Sequence, residues 1–330
     1  MLTILGKRVG APWTYAALER GMETYPGQPT VRDLETIYHY RAIAKHTRFI
    51  GVTGFAEQDV ARIGIINAGL ANLGLGIRGL PLAVGSVDLF RKVIAAVKLA
   101  GVVVDEGHSG PLLEIADKKD ASADAARSAD LLLRQDNGWT AFNTIGQAAV
   151  AALEESLRPR STQPDNPLHG RMVMIAGANS LAGAVAAAVK QRQGIFMIAS
   201  RDKETGHRMA QEFECRYVPF EALYSTSHDV LVKCAEEKIP MKKGAPEQAG
   251  DIHPGYLKPT ITVLDLTTMP RLSDLAKAAK VRGCPVVKPR DLLVAQCARQ
   301  LQLLVGKQVP SGVLKQLLVE MMGEEEEEQR

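Results

Sequence analysis

The chain has 330 residues, 46% of them hydrophobic and 5% aromatic, and carries a formal net charge of +3. That length sets a prior of two or three domains around ordinary hydrophobic cores. The charge is too small, and the basic residues too scattered among too few aromatics, for a nucleic-acid surface. The N-terminus lacks the basic stretch and apolar core of a signal peptide, and no run approaches the roughly 18 apolar residues of a membrane span. A cytoplasmic protein with no membrane partner is expected, and nothing in the pattern sets an oligomeric state. Cys215, Cys234, Cys284 and Cys297 are not at metal-ligand spacing. They read as reduced, partly buried thiols, with no metal centre expected.

The predicted elements begin after an N-terminal segment, residues 1–48, that fits no alternating pattern. Phe49 to Thr53 reads as a buried strand and Asp59 to Leu73 as a helix. A second strand lies within Ile77 to Ala83, and a second helix spans Ser86 to Leu99. Gly101 to Val104 is a third short strand. Asp130 to Leu133 and Trp139 to Phe142 pair around the turn Asp136-Asn137-Gly138. An alanine-rich helix runs from Gly146 to Leu157. The polar, proline-rich stretch from Arg158 to Pro167 is a linker. Alternation then resumes: strand Met172 to Ala176, helix Leu181 to Gln191, strand Ile195 to Ala199, helix Lys203 to Phe213. Further strands fall at Val230 to Val232 and Ile261 to Leu264. Helices over Asp291 to Leu304 and Ser311 to Met322 follow. Alternation of this kind implies mainly parallel sheets covered by helices, so the expected fold is two α/β domains. Their predicted limits are 49–157, with 291–322 packing back on that domain, and 165–290. The five adjacent glutamates within 323–330 repel one another and read as a solvated tail.

The second domain opens with strand, glycine turn and helix, the context in which a glycine pattern carries meaning. Gly177 makes the tight turn of a Rossmann domain, and the N–H groups of Ser180 and Leu181 at the helix start can cradle a pyrophosphate. Ala182 is small enough for close helix–strand packing. Asn179 departs from the pattern: the second glycine lets backbone approach the phosphates, and a side chain there crowds them. Asparagine tolerates positive φ better than most residues, so the turn itself survives. The next strand ends in Ser200-Arg201-Asp202-Lys203. Arg201, with Lys203 nearby, favours a 2′-phosphate and hence NADP over NAD.

From about Gly51 to Leu304 the chain resembles shikimate dehydrogenase. Gly51-Val52-Thr53-Gly54 looks like that family's opening strand. The run Gly101 to Ser109 (GVVVDEGHS) sits where the family has G-F-N-V-T-x-P-H-K, and Phe142 to Gly146 (FNTIG) where it has Y-N-T-D-G. Ser200-Arg201-Asp202 stands for N-R-T, and Leu292 to Gln296 (LLVAQ) for M-L-V-x-Q. The resemblance implies NADP-dependent reduction of 3-dehydroshikimate on the route to chorismate and the aromatic amino acids. Before Gly51, the runs Gly10 to Ala16 and Pro26 to Val31 look like the end of a type I 3-dehydroquinate dehydratase, with Gln28 at a substrate-contacting position and Thr24 replacing the usual serine. Some 45 residues cannot close a (β/α)₈ barrel, which takes about 200 or more. Two alternatives stay open: a start at an internal methionine, or a relic packed on the next domain.

The resemblance also says what is replaced. The family's catalytic lysine and aspartate correspond to Ser109 and Ile145. Its carboxylate-binding serine pair corresponds to Val60 and Arg62, its threonine to Asp105, and an asparagine to Asp130. Asn143 and Gln296 keep the family's residue. The tyrosine near the nicotinamide corresponds to Thr268, and N-A-T-P-x-G-M to the run Lys233 to Ile239. Reduction of a ketone needs a proton donor beside the carbonyl oxygen. Serine has neither the charge nor the pKa of lysine, and isoleucine forms no hydrogen bond. Three readings follow. The first is a shikimate dehydrogenase whose activity is impaired or lost. The second is a repurposed oxidoreductase for another small carboxylate, with His108 as donor, Asp105 or Glu106 beside it, and Arg62 gripping the substrate. The third is a non-catalytic nucleotide-binding scaffold with no small-molecule substrate.

Overall fold

The computed structural model describes residues 2–323 except Pro26, Asp136, Asn137, Glu236, residues 239–248 and Asp251. The acidic tail and the first two turn residues of the predicted hairpin therefore lie outside the described residues. In chain order the elements are α1 (Leu2–Arg8), α2 (Val31–Thr36), β1 (Arg48–Thr53), α3 (Glu57–Asn72), β2 (Ile77–Leu82), α4 (Val87–Val97), β3 (Gly101–Val103), β4 (Lys118–Lys119), α5 (Ala121–Ala126), β5 (Leu131–Gln135), β6 (Gly138–Phe142) and α6 (Ile145–Leu157). They continue as β7 (Met172–Ala176), α7 (Ser180–Gln191), β8 (Ile195–Ser200), α8 (Lys203–Phe213), β9 (Arg216–Pro219), β10 (Val230–Lys233), β11 (Glu237–Lys238), β12 (Ala249–Gly250), β13 (Thr262–Asp265), α9 (Asp274–Val281), α10 (Pro289–Val305) and α11 (Ser311–Met322). Two compact units result. One comprises Met1–Asp120, Ala129–Phe142 and Leu293–Arg330, the other Ala121–Ser128 and Asn143–Leu292.

The first unit is built on a six-stranded sheet of order β2-β1-β3-β5-β6-β4. β1 runs parallel to β2 and β3, whereas β5 is antiparallel to both β3 and β6. Five of the six residues of β1 are buried, as expected of a strand covered on both faces. α3 packs against the sheet and against the C-terminal helices. Gly64 faces Met321, and Gly69 faces Leu301 and Leu314; a Cβ at either glycine would collide with those side chains. Leu301 and Leu314, both fully buried, each contribute roughly 1.5–3 kcal/mol. The N-terminal segment joins the same unit. Ile4 is fully buried, Ala17 bridges Thr30, and the Arg8 guanidinium lies 5.6 Å from the Phe49 ring centre. α2 starts in a capping box: the Thr30 hydroxyl accepts from Asp33 N–H, and the Asp33 carboxylate accepts from Thr30 N–H, both at 3.0 Å.

The second unit is a five-stranded sheet of order β13-β10-β7-β8-β9, parallel throughout. β7 is followed along the chain by β8 on one side, and the sheet grows on the other side through β10. The strand order therefore reverses between β7 and β10, where a doubly wound sheet binds its ligand. Nine consecutive residues of α7, Leu181 to Val189, are buried. Small side chains make this possible: Gly146 of α6 sits so close to the Ala184 carbonyl that a Cβ would overlap it. Ala126 also approaches α7, its carbonyl lying 3.3 Å from where a Cβ on Gly183 would stand.

Candidate active site and nucleotide turn

At the β7–α7 junction Gly177 has φ +115°, a conformation that glycine alone adopts without strain. A Cβ there would lie 2.9 Å from both the amide nitrogen and the Cβ of Ala235. Asn179 has φ −125° and ψ −173°, so its backbone is extended and needs no left-handed tolerance. Its side chain does the crowding. Oδ1 accepts from Ala182 N–H at 3.0 Å, capping α7, and Nδ2 donates to the Cys234 carbonyl at 2.9 Å. One of the helix-start donors is thus already engaged, and the loop after β7 is tied to the loop after β10 across the switch point. Ala182 is fully buried and Leu181 nearly so, as close helix–strand packing requires. The turn keeps the positive-φ glycine of a Rossmann turn, and the Asn179 side chain fills the space between the start of α7 and the Cys234 carbonyl.

β8 ends in Ser200, which is buried and accepts the Tyr217 hydroxyl on its carbonyl at 2.9 Å. The Arg201 guanidinium stacks 4.0 Å from the Phe220 ring centre and donates to Glu221 at 2.6 Å. Asp202 carries the one carboxylate of the Ser200–Lys203 run, where an NAD site would hold ribose. Its oxygens instead cap α8, accepting from Glu204 N–H, Thr205 N–H and the Thr205 hydroxyl. Those bonds hold its carboxyl below the usual range. Lys203 is exposed at the start of α8.

The first unit gathers its polar residues at the ends of β1 and β3. Asp105 follows β3. Its N–H donates to the Thr53 hydroxyl at 2.8 Å, and that hydroxyl donates to Asp105 Oδ1. The carboxylate also receives His108 Nδ1, at 2.8 Å and 2.9 Å to its two oxygens. A carboxylate can only accept, so the ring carries its proton on Nδ1 and Nε2 is the remaining acceptor in the neutral form. Burial, with the neighbouring charges of Asp105 and Asp59, pushes the Glu106 carboxyl up to about 7. Ser109 is buried, and its hydroxyl donates to the Glu106 carbonyl at 2.8 Å.

Arg62 does not stand open for a substrate. It is 4% exposed, and its Nη1 donates to Asp59 Oδ1 at 3.0 Å. Its Nη2 approaches Gln296 Oε1 at 3.5 Å, and Gln296 Nε2 donates to Asp130 Oδ2 at 3.0 Å. Asp59, Arg62, Gln296 and Asp130 form one buried chain. Burial is also the largest influence on Asp59, raising its carboxyl, with Arg62 opposing it. The second unit holds Asn143 and Ile145. Asn143 Nδ2 donates to the Ser128 hydroxyl at 3.1 Å and its Oδ1 accepts from Gly146 N–H at 3.3 Å. Ile145 is 4% exposed at the start of α6.

Two features escaped sequence reasoning. Asp59 as the partner of Arg62 is an i,i+3 pair on one helix, a spacing visible in the sequence. Lys233 and Asp265, register partners on β10 and β13, form an ion pair at 3.5 Å with both side chains at most 2% exposed; no local pattern signals it. No cysteine is in a disulfide, and burial pushes the Cys297 thiol up to about 12 and the Cys215 thiol up to about 11, so both stay protonated. Among the described residues no group of acidic, histidine or cysteine side chains could hold a metal, and no helix is long and apolar enough to cross a membrane.

These features define an α/β protein with a Rossmann-type unit and a second unit carrying an acid–base cluster. No family model matches the chain. Over 326 residues it is 23% identical to the bifunctional 3-dehydroquinate dehydratase/shikimate dehydrogenase of Arabidopsis thaliana, covering 96% of this chain and 54% of that protein. Over 273 residues it is 25% identical to the NADP(+) shikimate dehydrogenase of Syntrophobacter fumaroxidans, covering 80% of this chain and 91% of that one. The chain thus spans about half of the plant protein and most of the bacterial one. A solved shikimate dehydrogenase in complex with NADP+ superposes with a TM-score of 0.73 at 20% identity, covering 86% of this chain and 98% of the other. The chain resembles the shikimate dehydrogenases over most of its length and has their fold.

Proposed function

We propose that this chain is an NADP-dependent oxidoreductase of shikimate dehydrogenase ancestry in which reduction of 3-dehydroshikimate by the family's lysine–aspartate route is lost. In its place, His108 held by Asp105 moves the proton for another small carbonyl compound. The observation that carries this reading is the two-oxygen grip of Asp105 on His108 Nδ1. At the positions matching the lysine and aspartate, the Ser109 hydroxyl is engaged by a backbone carbonyl and Ile145 is apolar and buried. NADP, when bound, supplies or accepts the hydride. In reduction His108 enters as the imidazolium and gives its Nε2 proton to the developing alkoxide, leaving the neutral ring; in oxidation Nε2 takes the alcohol proton, and Asp105 holds the tautomer and the imidazolium that then forms.

Support for NADP over NAD comes from Arg201, a guanidinium directly after β8 and stacked on Phe220, and from Asp202, whose oxygens serve α8. The substrate carboxylate is not assigned to Arg62, whose charge already has Asp59 as its partner. For residues 1–48 a dehydratase origin accords with the alignment to the bifunctional Arabidopsis protein, which covers 96% of the chain where the monofunctional one covers 80%. By the same lineage the chain belongs with the biosynthesis of chorismate and the aromatic amino acids. A second reading, a nucleotide-binding scaffold without turnover, is favoured by Asn179 in the phosphate cradle.

Steady-state assays with shikimate and NADP+, and with NADPH against small ketones, test the proposal. Turnover of shikimate near the ordinary value of about 10 s⁻¹ would sink the loss of the family reaction. Binding of NADPH with no ketone reduced would favour the scaffold.

A further inference from the structure

A cavity of 480 Å³ lies within the first unit between the N-terminal segment and the β1–α3 turn. It falls in the range of small-molecule sites, about 300–1,000 Å³. Two side chains on its wall are more than nine-tenths buried yet have unmet hydrogen-bonding capacity. Tyr38 is 7% exposed and its hydroxyl has no partner among the described residues. Gln28 is 9% exposed; its Oε1 accepts from Thr24 N–H at 2.7 Å and from the Thr24 hydroxyl at 3.0 Å. The Thr24 N–H can only donate, which fixes the amide orientation and leaves the Nε2 donors toward the cavity. Neither polar end is sealed from solvent, so water or a ligand in the cavity can meet both.

The charges on the wall narrow the ligand class. Glu23, Asp33 and Asp59 line the cavity with a single guanidinium, that of Arg20. Each carboxylate is engaged: Glu23 by Gly21 N–H at 2.7 Å, Asp33 by Thr30 N–H at 3.0 Å, and Asp59 by Arg62 at 3.0 Å. Each also keeps lone pairs that can accept from a hydroxyl. Three acids against one exposed arginine disfavour an anion. Phe55 and Tyr25 give apolar surface for the carbon face of a ring. We propose that this cavity binds a small, uncharged, polyhydroxylated molecule, whose hydroxyls accept from Gln28 and Tyr38 and donate to the wall carboxylates. The site is separate from the Asp105–His108 pair, although Asp59 belongs both to its wall and to the Arg62 chain, and the inference does not depend on the dehydrogenase reading.

Saturation-transfer NMR on the full chain tests it, with myo-inositol as the neutral probe and glucuronate as its charged counterpart. Tyr38→Phe removes only the hydroxyl, and Gln28→Glu keeps the acceptor for Thr24 while removing the donors. Myo-inositol at millimolar concentration should show transfer, and each variant should weaken it by roughly tenfold, the worth of one hydrogen bond. Circular dichroism of both variants and an unchanged NADPH titration for Tyr38→Phe serve as controls for folding. No transfer to the wild-type protein, equal binding in both folded variants, or tighter binding of glucuronate than of myo-inositol would overturn the proposal.

Discussion

His108 presents Nδ1 to both carboxylate oxygens of Asp105, at 2.8 and 2.9 Å. The pair fixes one tautomer on a ring that remains 36% exposed, the combination that an acid–base group in contact with substrate needs. On whatever ketone is found to be reduced, His108→Ala should lower kcat by about 10²–10⁴, the ordinary worth of general acid–base catalysis. Its melting temperature should hardly move, since the side chain is partly exposed. Asp105→Asn should also lower kcat, and should destabilise the fold because Thr53 loses its carboxylate partner. Full activity in His108→Ala would remove the histidine from the mechanism.

Glu106 predicts a pH dependence of stability. Its carboxyl is raised from 4.5 to about 7, first by burial and then by Asp105. The folded protein therefore binds this proton more tightly than the unfolded chain. Below 4.5 both states are protonated and the group is neutral to stability. As pH rises toward 7 the unfolded state ionises first and stability falls; above 7 the whole penalty is present. The carboxyl is only partly buried, so solvent reduces the cost to about 1 kcal/mol. Glu106→Gln should match wild type at pH 4 and melt about 2–4 °C higher at pH 8. A difference of the same size at both pH values, measured by differential scanning calorimetry, would place the effect elsewhere.

Asn179 spans two loops with one side chain, accepting from Ala182 N–H and donating to the Cys234 carbonyl. Asn179→Gly returns the turn to the spacing that lets backbone approach a pyrophosphate. Loss of the cap costs only a few tenths of a kcal/mol when glycine replaces asparagine, and the Cys234 bond adds about 1 kcal/mol. NADPH affinity, followed by fluorescence, should rise by about tenfold while the melting temperature falls slightly. Weaker binding in a folded variant would mean that Asn179 contacts the nucleotide rather than competing with it.

Sequence reached furthest where structure is local. The predicted strand Met172–Ala176 matches β7, and the predicted helix from Leu181 to Gln191 misses only Ser180, which follows the capping Asn179. The buried helix α3 and the hairpin of β5 and β6 were legible from apolar runs and a glycine turn in the same way. The edge strand β9 was not: only Val218 of its four residues is deeply buried, so it shows no alternation. α9 was missed in a short LAKAAKV run whose signals are weak. The site was legible as residue identities and not as partners. Arg62 reads as a free cation only if its i,i+3 neighbour Asp59 is passed over; its contact with Gln296, 234 positions away, has no local signal. The N-terminal segment that resembles a barrel end packs within the first unit, with Gly27 against the Phe55 ring, as one of the two alternatives left open by the sequence has it; the residues it meets there have no local signal.

In the proposed reading Arg201 is the residue that favours NADP, and its bond to Glu221 opposes that role. The guanidinium is held flat by Phe220 at 4.0 Å and drawn aside by Glu221 at 2.6 Å. Glu221 is 73% exposed, so its hold on Arg201 is shared with water and contributes less than about 1 kcal/mol. A 2′-phosphate offers more charge and more acceptors, and can displace it. Arg201→Ala should weaken NADPH binding by about 10–100-fold, the worth of a hydrogen bond to a charged group, and leave NADH binding unchanged. Glu221→Ala should act in the opposite direction, tightening NADPH by a few-fold without affecting NADH, because it removes a competing carboxylate without touching the ribose. Parallel titrations of both nucleotides against both variants separate this from a general change in the pocket. If Arg201→Ala weakens NADH as much as NADPH, the arginine supports the fold of the β8–α8 turn and does not read the phosphate.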